Sequence, residues 1–509
     1  MNKKGIILIA SSILLIVGNL IATEKELVEG QHLSAGIQAH DVIGKGEGST
    51  SDFTDLGLGL FLHWSISSVK EMNISWPMIP GRVLARSEKL SPKELERVIE
   101  EKDFNLNGET WTITPNAYWA LAQDFNPSSY DPDKWCKAAK EAGFSYIVLT
   151  VRHHDGFAMW PSEYGSFNTK NFMGGRDLIK PFIDACRKHG MKVGLYFSPP
   201  DWYHMREIHN FLYWRASRIY PDLSLDANLN QRKGNISQSK RRELHAENAK
   251  IIRGQITELL TNYGEIDVFW FDGSLPSDSI SLEEIRELQP NIKMNNRGGE
   301  GGDFETFERH FPGRRPSGNV PAEFCDTWNG RWPHTTDPFR APAWATGQLA
   351  KCRAWNMNFL LGIGPMASGD FSPEAYANIA KLAEWMKIHK ESVLNGAVSL
   401  PSGEKANVAA TANGNTRYLF AIHSFREPTE NVADEQGSTG NFGRTPELQD
   451  PAKDLIMTLS GINKPSSVTL MRTDKALPHT YDAATQTLTL TLEASKRSDN
   501  TDVIKVSLN

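Results

Sequence analysis

Two adjacent histidines and an aspartate follow the apolar run SYIVLTV (145–151) in the stretch VRHHDGFAMW. These residue types could bind a metal ion, act as a general base, clamp a polar ligand or form an ordinary loop. Neighbouring side chains in an extended segment point in opposite directions, which makes His153 and His154 a poor pair for one metal ion. A metal-dependent hydrolase that also uses His63 and Asp155 is the alternative hypothesis. The favoured interpretation is a ligand clamp without metal or cofactor.

Further polar and aromatic residues stand at the ends of other apolar runs. In barrels of parallel strands the chemistry is located at these carboxyl ends. The residues that we expect to converge there are His63, Trp64, His153, His154, Tyr196, Trp270, Asp272, Arg297, Glu323, Trp328 and Trp332. A single histidine or tryptophan after a strand is more commonly a loop or core residue, so the prediction depends on the whole set.

Carboxylates decide the reaction class. Asp272 ends the run VFWFDG, where burial of its charge costs free energy unless the group is hydrogen-bonded or takes part in a reaction. An N-cap of the next helix is the alternative role. A second carboxylate would complete the acid and nucleophile pair of glycoside hydrolysis. We favour Glu323, which opens a strand-like run, with Glu308 second and Glu305 also available.

Short apolar runs alternate with amphipathic helical patterns from residue 57 onwards. The predicted strands are 57–64, 145–151, 192–198, 265–271, 292–296, 322–328 and 358–364. Apolar strands between helices are typical of a parallel sheet covered on both faces. No glycine-rich phosphate loop follows the first strand, which disfavours an open doubly wound sheet. The pattern therefore predicts an α/β protein with a (β/α)8-like TIM barrel.

After about residue 393 the pattern changes to alternating apolar and polar residues between turn signals. This pattern predicts a C-terminal antiparallel β-sandwich, with the polar stretch 426–454 as a loop within it. The predicted organisation is a signal peptide at 1–22, an N-terminal extension at 23–51, a (β/α)8-like catalytic domain at 52–392 and the sandwich at 393–509.

The N-terminus has the pattern of an export signal. Lys3 and Lys4 precede the apolar run GIILIASSILLIVGNLIA, which ends near Ala22. An uncleaved anchor helix is the alternative, because the run is close to membrane-spanning length. We expect a periplasmic or secreted protein with no membrane span after signal removal. The net charge of −6, from 55 basic and 61 acidic residues, gives no basic excess for binding nucleic acid.

The four cysteines, Cys136, Cys186, Cys325 and Cys352, have no Cys-x-x-Cys spacing. This spacing disfavours a zinc site. Two disulfide bonds and buried free thiols are both compatible with the sequence.

Seven longer motifs occur in one order along the chain, from about Gly57 to Gly396. They are GLFLHWSISSV, YIVLTVRHHDGFAMWPSEYGSFNTKN, GGRDLIKPFIDACRKHGMKVGLYFSPPDWY, IDVFWFDG, IRELQPNIKMNNRGG, GDFETFERHFPGRRP and MNFLLGIGPMASGDF. Together they resemble glycoside hydrolase family 29, which comprises exo-acting α-L-fucosidases and some α-L-galactosidases. The resemblance implies a retaining double-displacement mechanism on a (β/α)8-like domain that is followed by a β-sandwich.

The resemblance also implies roles for individual residues. It makes Asp272 the nucleophile and maps the acid/base onto Glu323 in AEFCDTWN or onto Glu308 in GDFETFERHFP. The substrate-binding residues implied by the family motifs, together with the strand-end residue Trp64, are His63, Trp76, His153, His154, Tyr196, Trp270 and Arg297.

Two departures from the family pattern concern the sugar pocket. Ser65 stands where the family usually has glycine, and Ser75 stands at the position of a glutamate, with Trp76 in place of the adjacent tryptophan. The pocket around O3, O4 or C6 of the sugar is therefore expected to differ.

We expect an α-L-fucosidase acting on an oligosaccharide or polysaccharide, with an α-L-galactosidase and a sugar-binding protein without catalysis as alternatives. A homo-oligomer is compatible with the sequence.

Overall fold

Eight parallel strands form the first part of the molecule. The structure, a computed structural model, describes residues 50–85, 89–104, 112–312, 315–316, 320–422 and 450–509. The strands are β1 (Leu58–Leu62), β2 (Tyr146–Arg152), β3 (Lys192–Phe197), β4 (Val268–Phe271), β5 (Lys293–Met294), β6 (Glu305–Glu308), β7 (Ala322–Thr327) and β8 (Asn358–Gly362). Their spatial order is β5-β4-β3-β2-β1-β8-β7-β6. The predicted (β/α)8-like architecture is confirmed.

The two terminal strands of this order, β5 and β6, meet through a parallel bridge between Asn295 and Phe304. The Asn296 amide donates to the Phe304 carbonyl at 3.0 Å, so the sheet curls round on itself. The ring of Phe304 stacks on Phe53, with centroids 4.0 Å apart. The first helix therefore contributes an aromatic side chain to the barrel interior, where both rings belong to one cluster of buried residues.

Helices alternate with the barrel strands along the chain. They are α1 (Thr50–Thr54), α2 (Pro92–Glu101), α3 (Pro115–Ala120), α4 (Pro132–Glu141), α5 (Thr169–Phe172), α6 (Ile179–Lys188), α7 (Trp214–Ile219), α8 (Gln238–Thr261), α9 (Leu282–Leu288), α10 (Pro342–Ala354) and α11 (Pro373–Val393). Helix α9, which follows β4, is capped by Ser281 and Glu284 in a capping box. Asp272 is therefore not the N-cap of that helix.

Strand alternation separates an inner from an outer layer of side chains. Phe61, Tyr146, Tyr196 and Trp270 face the interior cluster, whereas their strand neighbours belong to the larger core beneath the helices. Both faces are buried, which explains the near-continuous apolar runs in the sequence. Strand β6 was not predicted, because its sequence ETFE has one apolar residue and all four residues are half-buried.

The C-terminal part consists of two antiparallel sheets, as predicted. The strands are β9 (Val398–Ser399), β10 (Lys405–Ala406), β11 (Ala410–Asn413), β12 (Thr416–Ala421), β13 (Leu455–Ser460), β14 (Pro465–Leu470), β15 (Lys475–Ala476), β16 (His479–Asp482), β17 (Thr487–Leu492) and β18 (Asp502–Leu508). The sheet orders are β10-β13-β17-β16 and β15-β14-β18-β12-β11-β9, and apolar side chains from both sheets form one separate core.

Several sequence predictions fall outside the described residues. These are the signal peptide at 1–22, almost all of the extension at 23–51, and most of the polar loop at 426–454. Among the described residues, no helix is long and apolar enough to cross a membrane. All four cysteines are buried free thiols, with the sulfurs of Cys136 and Cys186 at 3.7 Å. The predicted domain boundaries stay predictions.

Candidate active site

A pocket lies at the carboxyl ends of the barrel strands. The residues that line it are Phe61, His63, Ile74, Trp76, His153, Tyr196, Trp270, Asp272, Arg297, Glu308 and Trp332. Most of them stand on a barrel strand or within three residues after its end. Because the carboxyl ends of parallel strands meet on one face, residues that are far apart in the sequence converge there.

Asp272 stands directly after β4, and 10% of its side chain is exposed. Its Oδ2 accepts a hydrogen bond from the Tyr196 hydroxyl at 2.6 Å, and its Oδ1 accepts one from Arg297 Nη1 at 3.0 Å. His154 Nε2 lies 3.4 Å from Oδ2. Burial alone would raise the pKa of Asp272, but His154 and the Arg297 charge outweigh it and hold this pKa well below its ordinary value. Asp272 is therefore ionised at neutral pH.

One guanidinium group joins Asp272 to Glu308. Arg297 Nη2 donates to Glu308 Oε2 at 2.9 Å, and Nε donates to Thr306 Oγ1 at 2.9 Å. The guanidinium carbon lies 4.8 Å from the centroid of the Trp270 ring. Burial raises the pKa of Glu308; Arg297 opposes this effect and the Asp272 charge adds to it, with a net upward shift. The site thus holds one carboxylate favoured as the anion and a second that is biased toward its protonated form.

Glu323 lies below the pocket and does not line it. Its side chain is fully buried; Oε1 accepts a hydrogen bond from Trp270 Nε1 at 2.8 Å and Oε2 accepts one from the Tyr146 hydroxyl at 2.5 Å. Glu308 pairs with Cys325, two residues further along β7, which puts Glu323 about 7 Å deeper in the barrel. Burial raises the pKa of Glu323 to about 7.

His153 and His154 both reach the site, although adjacent residues of a regular strand point apart. The register between β2 and β3 shifts between Thr150 and Arg152, and such an irregularity bends the strand and redirects its side chains. The two imidazole centroids are 4.4 Å apart at an interplanar angle of 59°. This local irregularity brings both imidazoles to the site, with His153 in the pocket lining and His154 against Asp272.

A hydrogen-bond chain orients His153. Its Nδ1 lies 2.6 Å from the Ser75 hydroxyl, and Ser75 donates to Asp155 Oδ2 at 3.1 Å. Tyr118 donates to the same oxygen at 3.0 Å, and the Phe157 amide donates to Oδ1 at 2.8 Å. Because Ser75 uses its proton toward Asp155, the network assigns a proton to His153 Nδ1 and leaves Nε2 as an acceptor. Burial holds the pKa of His153 well below its ordinary value, so the ring is neutral.

His154 stands behind Asp272. Its Nδ1 is hydrogen-bonded to the Ser198 hydroxyl, and Ser198 also donates to the Asp272 carbonyl oxygen at 3.2 Å. The ring stacks on Trp202 with centroids 5.0 Å apart and meets Trp76 edge-on at 5.6 Å. His154 is therefore held on three sides, with Nε2 directed toward Asp272.

His63 follows β1 and is 4% exposed. Its Nδ1 has no hydrogen-bond partner within the described part of the chain, and its ring lies 4.8 Å from that of Trp332. Burial lowers the pKa of His63 to about 3. A neutral imidazole with an unused nitrogen can exchange a hydrogen bond with a ligand hydroxyl.

An apolar wall completes the pocket with Phe61, Ile74 and Trp332. Ile74 is 2% exposed and has a left-handed backbone conformation with φ of 49°. This conformation is unfavourable for a β-branched residue, by a free energy on the order of 1–3 kcal/mol. Such strain is typical of functional loops, where the surrounding structure holds one side chain in place.

Trp64 differs from its prediction, because it does not line the pocket. It is 1% exposed, its Nε1 donates to the Met366 carbonyl at 3.0 Å, and its ring packs edge-on against Trp135 at 5.7 Å. Trp64 comes directly after His63, and residues next to each other on an extended segment face opposite sides. Trp328 is also fully buried away from the pocket, and its Nε1 donates to the Arg340 carbonyl at 3.1 Å. The other predicted strand-end and substrate-binding residues, apart from Glu323, lie at the pocket or, as His154 does, against Asp272.

Three residues of the site could also bind a metal ion. His153, His154 and Asp272 each offer a ligand atom, and these atoms lie within 4.8 Å of one another. Both oxygens of Asp272, however, already accept hydrogen bonds from Tyr196 and Arg297. The Arg297 charge beside the carboxylate would repel a cation. The hydrogen-bond donors around Asp272 therefore favour an ionised carboxylate without a bound metal ion.

Ile74 and Tyr146 were not predicted from the sequence as functional residues, and Ser75 was noted only as a departure from the family pattern. Tyr146 could have been found, because a hydroxyl group in a buried apolar strand needs a hydrogen-bond partner. Ser75 and Ile74 lie on the irregular loop after β1, and no periodic pattern indicates which way such residues point.

Comparison with known proteins identifies the family of this chain. The family model described as Alpha-L-fucosidase matches residues 43–391. Tissue alpha-L-fucosidase from Bos taurus is 24% identical over 395 residues, which cover 73% of this chain and 74% of that protein. Alpha-L-fucosidase 1 from Arabidopsis thaliana is 32% identical over 177 residues, which cover 33% of this chain and 28% of that protein.

Solved structures give the same result. Alpha-L-fucosidase isoenzyme 1 from Paenibacillus thiaminolyticus has a TM-score of 0.63 and 25% identity, with 91% of this chain and 99% of that chain covered. A GH29 alpha-L-fucosidase from Bacteroides thetaiotaomicron shares the fold, with a TM-score of 0.62, 19% identity and coverage of 92% and 97%. The chain therefore belongs to the α-L-fucosidase family, glycoside hydrolase family 29.

Proposed function

We propose that the chain is a retaining exo-α-L-fucosidase that removes terminal α-L-fucosyl residues from glycans by double displacement. The observation that carries this proposal is the bridging of two pocket carboxylates, Asp272 and Glu308, by the single guanidinium of Arg297. Retaining glycosidases need a nucleophile and an acid/base close together, whereas inverting enzymes need room for a water molecule between the two. A shared guanidinium keeps the two groups close.

In the first step Asp272 attacks the anomeric carbon while Glu308 gives its proton to the leaving glycosidic oxygen. The ionised Asp272 and the raised pKa of Glu308 match these two roles. Formation of the glycosyl-enzyme ester removes the negative charge of Asp272. Because that charge helps to raise the pKa of Glu308, its loss lowers this pKa, and Arg297 then stabilises the Glu308 anion. Glu308 is thereby prepared to deprotonate water in the second step.

The order of preference between the two glutamates is thus the reverse of the one drawn from the sequence. A general acid must reach the glycosidic oxygen within hydrogen-bond distance. Glu308 lines the pocket, and 22% of its side chain is exposed. Glu323 is fully buried, with both oxygens engaged by Trp270 and Tyr146. These contacts support Glu308 as the acid/base.

The remaining pocket residues support a 6-deoxy sugar. His63 and His153 offer nitrogens of neutral imidazoles to ring hydroxyls, and Trp270 presents an apolar surface to the sugar ring. His154 stands against Asp272. The apolar wall of Phe61, Ile74 and Trp332 provides the environment that a C6 methyl group requires. An α-L-galactoside would instead need a polar partner for O6.

A panel of p-nitrophenyl glycosides tests the proposal. We expect turnover of the α-L-fucoside at least about tenfold faster, in kcat/KM, than turnover of the α-L-galactoside, since one hydroxyl placed against an apolar wall costs on the order of 1–3 kcal/mol. NMR of the first-formed sugar should show the α-anomer. No turnover of either α-L-glycoside, or a first-formed β-anomer, would refute the proposal. Turnover that is unchanged by a chelator would exclude the metal-dependent alternative.

We also propose that the protein is exported, with removal of residues 1–22. The charged Lys3 and Lys4 followed by an apolar run support this location. The mass of the mature chain purified from its source would test it, because an intact N-terminus contradicts cleavage.

A further inference from the structure

We infer that Glu323 is a positioning residue, which acts through Trp270 to hold Arg297 between the two reacting carboxylates. This inference rests on the proposed function, in which Asp272 and Glu308 react. Glu323 touches neither the pocket nor the reacting atoms. Its effect on turnover must therefore pass through the residues that it holds.

The hydrogen bonds of Glu323 to Tyr146 and Trp270 are called the anchor. The Tyr146 ring crosses the barrel interior to form the first of them. Tyr146 on β2 reaches Glu323 on β7, and these strands are not neighbours in the sheet. Its path is open because β1 has Gly59 at the facing position. A Cβ atom on Gly59 would lie 2.2 Å from Cζ of the Tyr146 ring, which is far inside van der Waals contact. Gly59 and Tyr146 together therefore provide a fixed hydroxyl for Glu323.

Glu323 transmits this fixed position to Trp270. The indole Nε1 donates to Glu323 Oε1 at 2.8 Å, while the ring forms part of the pocket lining. The Trp270 indole therefore contacts Glu323 through its N–H and the active-site pocket through the face of its ring. Rotation of Trp270 away from this position would leave its buried N–H without this acceptor, which is unfavourable.

Trp270 in turn supports the residues that contact Asp272. Arg297 lies over the indole at 4.8 Å, and the Tyr196 ring stacks on it with centroids 5.4 Å apart at 15°. Arg297 and Tyr196 donate to different oxygens of Asp272. The position of one indole therefore sets the geometry of both donors, and misplacement of a reacting group by about 1 Å can lower a rate by about a hundredfold.

The contacts of Glu323 also identify the substitutions that should keep or break the anchor. A glutamine at this position can still accept from Trp270 with its oxygen, and its amide can donate to the Tyr146 hydroxyl. A leucine has nearly the same size but accepts from neither. Burial raises the pKa of Glu323 to about 7, so the neutral acid that glutamine imitates is the main form in weakly acidic solution.

The experiment compares Glu323→Gln, Glu323→Leu and the control Leu349→Ala in the full chain. Leu349 is fully buried on helix α10, outside the barrel, so its truncation lowers stability without touching Trp270. We expect Glu323→Gln to keep kcat/KM for the aryl α-L-fucoside within about threefold of the unchanged protein. Glu323→Leu should lower it by about tenfold to a hundredfold, mainly through kcat. Leu349→Ala should lower Tm and leave kcat unchanged.

Each outcome bears on a distinct claim. Glu323→Leu with unchanged kcat overturns the inference and leaves the proposed function intact. If Glu323→Gln abolishes turnover, and azide restores it in Glu323→Ala, Glu323 is the acid/base, and both the inference and the assignment of Glu308 are wrong. If the unchanged protein neither turns over the fucoside nor binds L-fucose in a calorimetric titration, both claims fail. If Glu323→Leu does not fold, Glu323→Met, which is unbranched and has no carboxyl oxygen, replaces it, and unchanged kcat there overturns the inference.

Discussion

The rim of the barrel holds a half-buried glutamate, Glu308, and the layer beneath it holds a fully buried one, Glu323. Burial raises the pKa of both. On the rim, Glu308 shares the Arg297 guanidinium with Asp272 and keeps part of its side chain exposed. Beneath it, Glu323 has its two oxygens engaged by Trp270 and Tyr146 and is sealed from solvent. The two positions are separated by only two residues along the barrel wall.

The comparison shows that a perturbed pKa does not by itself identify a catalytic acid. Burial perturbs both groups, but only Glu308 has an oxygen that a substrate could reach. The rim also combines opposite charges, which separate the protonation states of Asp272 and Glu308. The lower layer has neutral donors only, and these fix geometry. Under the proposed mechanism, solvent access and charge pairing therefore distinguish the reacting carboxylates from the supporting one.

The largest expected effect comes from the rim carboxylate that is ionised. Asp272→Gly should lower kcat for the aryl fucoside by at least about a thousandfold, because no other group can form the glycosyl-enzyme. Azide should partly restore turnover and give the β-fucosyl azide, since it attacks from the side that Asp272 occupied. Asp267→Asn, at the opposite end of β4, is the control and should keep kcat. Retention of more than about a tenth of the rate by Asp272→Gly contradicts the nucleophile assignment.

The second largest effect separates the two glutamates. Glu308→Ala should lower kcat/KM by about 10²- to 10⁴-fold, the usual contribution of general acid catalysis. Azide should restore turnover and yield the α-fucosyl azide, because it attacks the glycosyl-enzyme from the open face. The azide product is identified by NMR. If azide does not rescue Glu308→Ala, the assignment of Glu308 as acid/base is wrong, and with it the proposed difference between Glu308 and Glu323.

The pH dependence of kcat/KM tests the same difference between Glu308 and Glu323. Glu308 must be protonated, and its pKa is raised from 4.5, so kcat/KM should fall about tenfold per pH unit above that raised pKa. Asp272 is held ionised, so we expect no acid limb above about pH 4. Glu323→Gln should keep the alkaline limb. Loss of that limb in Glu323→Gln, measured on the aryl fucoside, would assign the limb to the interior glutamate instead.

The smallest effect concerns the support of the histidine pair. Ser75→Ala removes the partner of His153 Nδ1 and one donor to Asp155. Loss of one such buried hydrogen bond costs about 1–2 kcal/mol, so kcat/KM should fall about tenfold. Ser162→Ala, at a buried hydroxyl bonded to Glu258 away from the pocket, is the matched control. An equal loss of activity in both variants would mean that Ser75 contributes stability alone.

Most of the fold could be predicted from the sequence because buried parallel strands have continuous apolar runs. Strand β6 could not, since half-buried edges of the barrel rim do not require such a run. Among the site residues, Asp272, His63 and the histidine pair were visible because polar groups directly after a buried strand face the pocket. Trp64 was misplaced, because the side to which a residue after a strand end turns depends on the local backbone.

By itself, the sequence determined the barrel, the C-terminal sandwich, the family and the carboxylate that ends β4. Only the tertiary structure distinguishes Glu308, which lines the pocket, from Glu323, which is buried beneath it. The sequence offers both as candidates, and their difference lies in tertiary contacts: Glu308 binds Arg297, whereas Glu323 binds Trp270, 53 positions away, and Tyr146, 177 positions away. A carboxylate takes its role from the donors and the solvent around it, and in a barrel those are set by strand register across the interior, which no local pattern encodes.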